Sequence, residues 1–219
     1  MSLSELWSLY GQNYIDALLA TWGMTLESFA IAMVLAVAVT VMRVSPLKPL
    51  RVFGDLYVQV FRNIPGIALL IIVVYALPPL KVVLPYRTCV IVATVLLGSA
   101  FGSENFMSGI NTVGVGQVEA ARSLGMSFSR ILAKIVIPQA LRSSVLPMTN
   151  LFIAVMLTTA LGSQVPLKPQ ELTGVVSYIN TRSLGGVPAF FISALGYLGT
   201  AFVVSHIGNY IDKKVRILR

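Results

Sequence analysis

The sequence predicts an all-α integral membrane protein with five transmembrane helices and one cytoplasmic loop that folds into short helices of its own. Three observations predict it. Of 219 residues, 56% are hydrophobic and only 11% are charged, whereas soluble domains carry about 25% charged residues. Apolar runs long enough to cross a bilayer, which takes roughly 20 residues, recur along the chain. Between two of them lies a polar, basic stretch, about 107–142, whose residues favour helices and a sharp reversal. The spans use up the chain, so a single membrane domain over 1–219 is expected, with no added soluble domain.

The net charge of +8 is the balance that cytoplasmic loops of membrane proteins accumulate. Membrane lipid, and no nucleic acid, is therefore the expected surroundings. Cys89 is the only cysteine and His206 the only histidine, which excludes a disulfide framework, a thiolate metal cluster and a two-histidine metal site. Cys89 reads as a small packing residue and His206 as structural. The first 22 residues hold Glu5 and Asp16 but no Lys or Arg, unlike a cleaved secretory signal, so a retained N-terminal segment is expected.

The spans fall at about 20–42, 60–80, 86–106, 143–165 and 187–210. In the first, Glu27 must sit near a headgroup layer or face a protein interior. Residues 44–59 read as a surface-lying connector and 166–182 as the other long link. Placing the N-terminus outside puts Arg43, Lys48, Arg51, Arg62, Arg122, Arg130, Lys134, Arg142, Lys213, Lys214, Arg216 and Arg219 in the cytoplasm. Only Lys81, Arg87, Lys168 and Arg182 are left outside. This is the asymmetry that fixes topology in a bacterial plasma membrane, and it makes the chain N-out, C-in.

Within the loop, Val115–Leu124 suits a short helix, Ala120 and Ala121 being strong helix formers. Gly125 fits the position just past a helix end, where a left-handed backbone is needed. Ser127 is placed to cap a second helix through about Val136, and Pro138 to bend the chain into the fourth span. Such short helices are marginal alone in water, so packing or a partner must hold them. The small Ala120 and Ala121 let the first helix enter a cleft, with Glu119 and Arg122 as docking charges. An amphipathic loop lying on the membrane is the plainer alternative.

Glu119-Ala120-Ala121, Gly125 four residues on, and Ile137-Pro138-Gln139-Ala140 together resemble the EAA loop of ABC importer permeases. Arg62-Asn63-Ile64-Pro65, Arg43-Val44-Ser45-Pro46, Glu104, Ser108-Gly109-Ile110-Asn111-Thr112-Val113, and Pro147 with Asn150 extend the likeness over about residues 40–165. They point to the polar amino-acid uptake branch, and the segments from Arg43 and from Ser108 look especially like its glutamate permeases. One position departs: Leu157 stands where that branch has Lys, which puts a substrate role there in doubt and suggests that a nonidentical paired permease carries it.

The resemblance implies an ATPase-coupling site at Glu119, Ala120, Ala121, Gly125 and Pro138. It also implies cytoplasmic ATPase subunits, a second permease copy or paralogue, an external solute-binding protein and an amino-acid substrate. No Gly-x-x-x-x-Gly-Lys-Ser/Thr sequence occurs, so the chain has no P-loop for nucleotide phosphates. No cofactor is expected in this chain; ATP and Mg belong to the partner ATPase. No Ser/His pair or carboxylate pair in the spans suggests an enzyme.

Asn150, Thr158, Thr159 and Gln164 supply the polar side chains of span four. They suit hydrogen bonds between helices or a substrate path. Arg62 suits either a snorkelling side chain at a helix end or the lining of such a path. Glu104 suits a structural pair with a loop arginine or a gate. Gly196 and Thr200 form a small-xxx-small pair expected to favour close helix packing.

Overall fold

The computed structural model describes residues 2–183 and 185–215, and among these every regular element is helical. The helices are α1 (Leu3–Val44), α2 (Lys48–Asn63), α3 (Gly66–Ile71), α4 (Tyr86–Asn111), α5 (Val115–Ser123), α6 (Phe128–Ile131), α7 (Ile137–Ser143), α8 (Val145–Thr158), α9 (Gly174–Asn180) and α10 (Gly186–Val215). Two π-helical segments, Ile72–Ala76 and Leu132–Val136, and two 3-10 segments, Pro78–Leu80 and Thr159–Gln164, complete them. Arg216 and Arg219, part of the basic set behind the expected topology, lie outside the described residues.

Four helical stretches are long and apolar enough to cross a membrane: Leu3–Val44, Tyr86–Asn111, Val145–Gln164 and Gly186–Val215. The third through fifth expected spans correspond to the last three of these. The first and second need correction.

α1 starts at Leu3, well before residue 20. Ser2 accepts from the Glu5 backbone amide while Glu5 reaches back to the Ser2 amide, a capping box that satisfies two free donors at the helix start. At 42 residues the helix is about 63 Å long, roughly twice the hydrocarbon thickness. Its early turns pack Leu6, Tyr14 and Ala17 against Leu172, Val175, Ile179 and Ala189. Gln12, Asn13 and Asp16 break the apolar run there, which hides the helix from hydropathy alone.

The expected second span, 60–80, is not continuous. Lys48–Asn63 and Gly66–Leu80 meet at 103°, because Pro65 has no amide to extend α2 and pushes Ile64 into extended backbone (φ −84°, ψ 128°). The expected connector over 44–59 is thus mostly the α2 helix, which leaves Val52, Phe53 and Leu56 more than half exposed.

α1 and α4 run parallel. Glu27 meets Arg87 at one end of the pair and Arg43 meets Glu104 at the other, so the intervening Gly66–Leu80 unit returns the chain. Between these ends the seam is built from small residues. A Cβ on Gly98 would lie 3.3 Å from that of Ala32, and one on Gly102 would lie 2.9 Å from that of Ala36. Helices in lipid gain contact by such close backbone approach, since lipid tails are as apolar as the side chains they replace. Glu27 forms a two-pronged pair with Arg87, at 2.7 and 2.8 Å.

Candidate substrate cavity and coupling loop

The loop builds its own small core. Ala121, Val113, Ile131 and Val136 are buried together. At the end of α5 the Met126 amide donates to the Ala121 carbonyl (3.1 Å) and the Gly125 amide to that of Arg122 (2.9 Å). These two bonds make a Schellman turn, whose hinge residue must take a left-handed backbone. Gly125 does so, with φ +75° and nothing within 4 Å of where a Cβ would stand. The need for glycine here is conformational, not spatial.

The second loop helix departs from expectation. It runs past Val136 to Ser143, with a π-helical stretch at Leu132–Val136. Pro138 sits in the first turn of α7 just beyond it. A proline inside a helix removes an amide and crowds the carbonyl four residues back, and the wider π turn just before it gives room for both. Ser127 occupies the capping position, but its side chain makes no cap hydrogen bond. Gln139 donates to Gln117 at 2.6 Å and so ties α7 to α5.

The residues of the expected docking face divide. Ala121 is 3% exposed and its methyl joins the loop's core, while Glu119 and Ala120 are exposed. Around them Val115, Leu124 and Phe128 are 70%, 83% and 52% exposed. A segment of this size places such side chains in water only at a cost, and nothing in the sequence pattern singles these three out.

A cavity of about 1050 Å³ opens between the end of α2, α3, α4, α8 and the 3-10 turn after α8. Asn150, Thr158 and Gln164 line it, joined by Thr94 and Asn105 of α4 and by Leu157. Thr159 does not: it is fully buried, and its hydroxyl donates to the Met156 carbonyl at 2.6 Å. Thr158 likewise donates to the Ala154 carbonyl (2.8 Å), and Gln164 donates to Ser163 (3.0 Å). Asn105 donates to the Pro147 carbonyl at 3.1 Å, bridging α4 and α8.

Arg62 lines the same cavity. Its guanidinium lies 3.3 Å from the Glu104 carboxylate and 5.3 Å from the centre of the Phe101 ring, an attractive cation–π position. Among the described residues Glu104 pairs with Arg62 and with Arg43 (3.2 Å), and with no arginine of the loop over 107–142. Arg43 also meets Asp55 at 2.9 Å and Ser103 at 3.3 Å. Arg62, Arg43, Glu104 and Asp55 come from three helices, so no spacing along the sequence announces the network.

At the opposite end, the connection over 166–182 hides a carboxylate. Glu171 is fully buried and accepts from the Thr173 amide (2.6 Å), the Gly174 amide (2.7 Å) and the Tyr197 hydroxyl (3.0 Å). The next amide, Leu172, donates to Thr21 of α1 at 3.1 Å. Burial raises the Glu171 pKa, against the opposing pull of these hydrogen bonds. The glutamate is the start signal of α9 and its tie to α10. Gly196 faces Leu172 of this connection rather than a neighbouring span, and Thr200 accepts from the Trp22 indole at 3.0 Å.

The spans thus form a helical bundle with a self-packed loop at one end and a polar-edged cavity between them. The sequence pattern of the binding-protein-dependent transport system inner membrane component family matches residues 28–217, and the chain belongs to that family, among amino-acid ABC transporter permeases. It is a transport subunit and not an enzyme.

The glutamate transport system permease protein GluC of Corynebacterium efficiens is 33% identical over 208 residues, 90% of this chain and 91% of that one. The L-cystine transport system permease protein TcyB of Bacillus subtilis is 31% identical over 95% of this chain and 91% of its own. The probable glutamine ABC transporter permease protein GlnM of the same species is 31% identical, covering 97% and 96%. Among solved structures, the crystal structure of an amino acid ABC transporter with histidines shares the fold with a TM-score of 0.91 and 24% identity. It covers 98% of this chain and 99% of that one.

Proposed function

We propose that this chain is the membrane-spanning half of an ATP-driven importer of polar amino acids, with glutamate or a close relative as the solute. The observation that carries the proposal is continuity between cavity and loop. α4 and α8 wall the cavity, and both lead directly into the helices of 107–142. Any displacement of the loop must therefore move two walls of the cavity together. Glu119, Ala120 and the exposed Val115, Leu124 and Phe128 form the face on which a cytoplasmic ATPase docks. Gly125 sets the angle between the loop helices, Ala121 packs them together, and Pro138 sits at the start of the last one.

A second permease, identical or paralogous, covers the open side of the cavity, and an external solute-binding protein delivers the amino acid at the Glu171 end. The N-terminus lies outside and the C-terminus inside. ATP acts through its partner by binding preferentially to one state of the pair; without such a preference no equilibrium would shift. Support for glutamate comes from the permease of C. efficiens. Glutamine and cystine are the competing solutes suggested by the B. subtilis permeases. Among the residues lining the cavity Arg62 is the one with a charge, which favours an acidic or neutral amino acid over a basic one or a cationic osmolyte.

The test is reconstitution with the ATPase, paired permease and binding protein in vesicles, followed by uptake of labelled amino acids. ATP-dependent glutamate uptake, competed by few other amino acids, is the expected result. Uptake of glutamine or cystine alone would replace the solute and keep the importer, whereas no uptake of any amino acid would leave a scaffold. ATP hydrolysis by the purified chain alone would overturn the division of labour.

A further inference from the structure

We infer that Arg62 is the carboxylate-binding residue of the cavity, and that Glu104 holds its guanidinium until a substrate carboxylate takes that place. The inference rests on the amino-acid importer proposed for this chain and names the group that recognises the solute.

Arg62 is the charged residue among those lining the cavity. The other polar side chains there, Thr94, Asn105, Asn150, Thr158 and Gln164, are neutral. A carboxylate entering this space meets a guanidinium already paired with Glu104, a planar fork able to bind both oxygens of the newcomer in its place. Amides and hydroxyls elsewhere along the cavity wall suit the other polar groups of an amino acid. Asn150 has no hydrogen-bond partner for its side chain among the described residues, so its donors and acceptor remain available.

The network around Arg62 is arranged so that the guanidinium can be exchanged. Removing one partner of an ion pair is costly when it strands the other charge. Glu104 would not be stranded, because Arg43 remains 3.2 Å away. Arg43 is itself fixed by Asp55 and Ser103 and is only 11% exposed at its side chain, against 36% for Arg62. Of the two arginines, one is anchored and the other is free to turn towards the cavity. Phe101 also lines the cavity and lies under the Arg62 guanidinium. It supports the cation in either position, since a ring face attracts a cation whatever its carboxylate partner.

The test measures binding of tritiated L-glutamate, L-glutamine and L-cystine to the purified complex of both permeases and ATPase, with the binding protein omitted. Wild type is compared with Arg62→Gln, Arg62→Lys and Glu104→Gln, each checked for intact assembly by size-exclusion chromatography. Arg62→Gln is expected to weaken binding of the recognised amino acid at least tenfold. Arg62→Lys should restore part of that loss, because it keeps the charge but not the fork. Glu104→Gln should bind as tightly as wild type or more tightly, because the competing carboxylate is gone.

A merely structural ion pair predicts the opposite for this last variant: Glu104→Gln and Arg62→Gln would fail alike. Equal loss in those two variants, or undiminished binding in Arg62→Gln, overturns the inference while leaving the importer intact. If wild type binds and transports none of the three, nor any other amino acid in the vesicle uptake assay, the amino-acid importer falls and this inference with it.

Discussion

The two segments that join spans beyond the apolar runs, the loop over 107–142 and the connection over 166–182, are fastened in different ways. The connection is tied to the bundle. Glu171 is buried against α9 and α10, Leu172 bonds Thr21 of α1, and Leu172, Val175 and Ile179 join the core of α1 and α10. The loop has a core of its own and meets the spans through α7, whose Ala140 lies against Gly109 at the end of α4. Val113, Ala121, Ile131 and Val136 make a separate core, Gln139 bonds Gln117, and large apolar side chains remain outward. A segment fastened to several spans moves only with them. A segment with its own core and an open face can be gripped and moved as a unit, which is what coupling to a partner requires.

The largest expected effect comes from Gly125→Val. A β-branched side chain resists the positive φ of this position, so the Schellman turn must reopen and the α5 face must reorient. The protein should remain in the membrane at matched amounts, yet ATP-driven uptake should be abolished and ATPase co-purification weakened. Normal uptake would detach the loop from the mechanism and erase the functional half of the contrast.

Glu171→Ala probes the other side. It leaves the Thr173 and Gly174 amides and the Tyr197 hydroxyl without their acceptor in a buried place, which costs on the order of 1–3 kcal/mol. Thermal unfolding of the detergent-solubilised protein should shift downward while ATPase co-purification stays normal. Equal damage to both readouts would mean that the two segments are mechanically one.

A milder effect is expected of Glu119→Lys. The side chain is exposed, and charges at such a surface are partly solvated and screened. Uptake should fall by a few fold, more at low than at high salt, without change in thermal stability. A salt-independent complete loss would assign Glu119 a buried role at the docking face.

The smallest effect is a pH dependence carried by Glu171. Its pKa is raised above the ordinary 4.5 by burial, so the folded protein holds a proton that the unfolded chain releases first. Its contribution to stability is therefore fully present below about pH 4.5, declines as pH rises to the raised pKa, and is level above it. Glu171→Gln, which cannot ionise, should lack this decline. Melting curves from about pH 4 to about pH 8 that shift in parallel for both proteins would remove the buried carboxyl from the account.

Much of the fold was legible because lipid imposes simple rules: long apolar runs, few charges and internally satisfied backbones. The later three spans appeared almost at their lengths in the structure. Gly125 was legible as well, since helix ends use glycine for a backbone reason that survives any tertiary context. The first half of α1 was not, because its polar side chains are tolerated once the helix leaves the hydrocarbon region. The break at Pro65 was visible as a residue but not as a 103° turn, since a proline fixes its own φ and not the direction in which α3 packs. Thr159 could not be separated from Asn150, Thr158 and Gln164 by composition; the tightening to a 3-10 turn at Thr159 changes which side chains face the cavity.

By itself the sequence determined the all-helical membrane class, the placement of the helical loop over 107–142 and its glycine turn, because hydropathy and backbone preference act locally. Only the tertiary structure decided that Arg62, Glu104, Arg43 and Asp55 form one network, that Glu171 is buried as a helix start, and that Ala121 faces inward. These depend on residues from separate helices meeting in space. Charge and burial are properties of that meeting, and no single segment of the chain carries them alone.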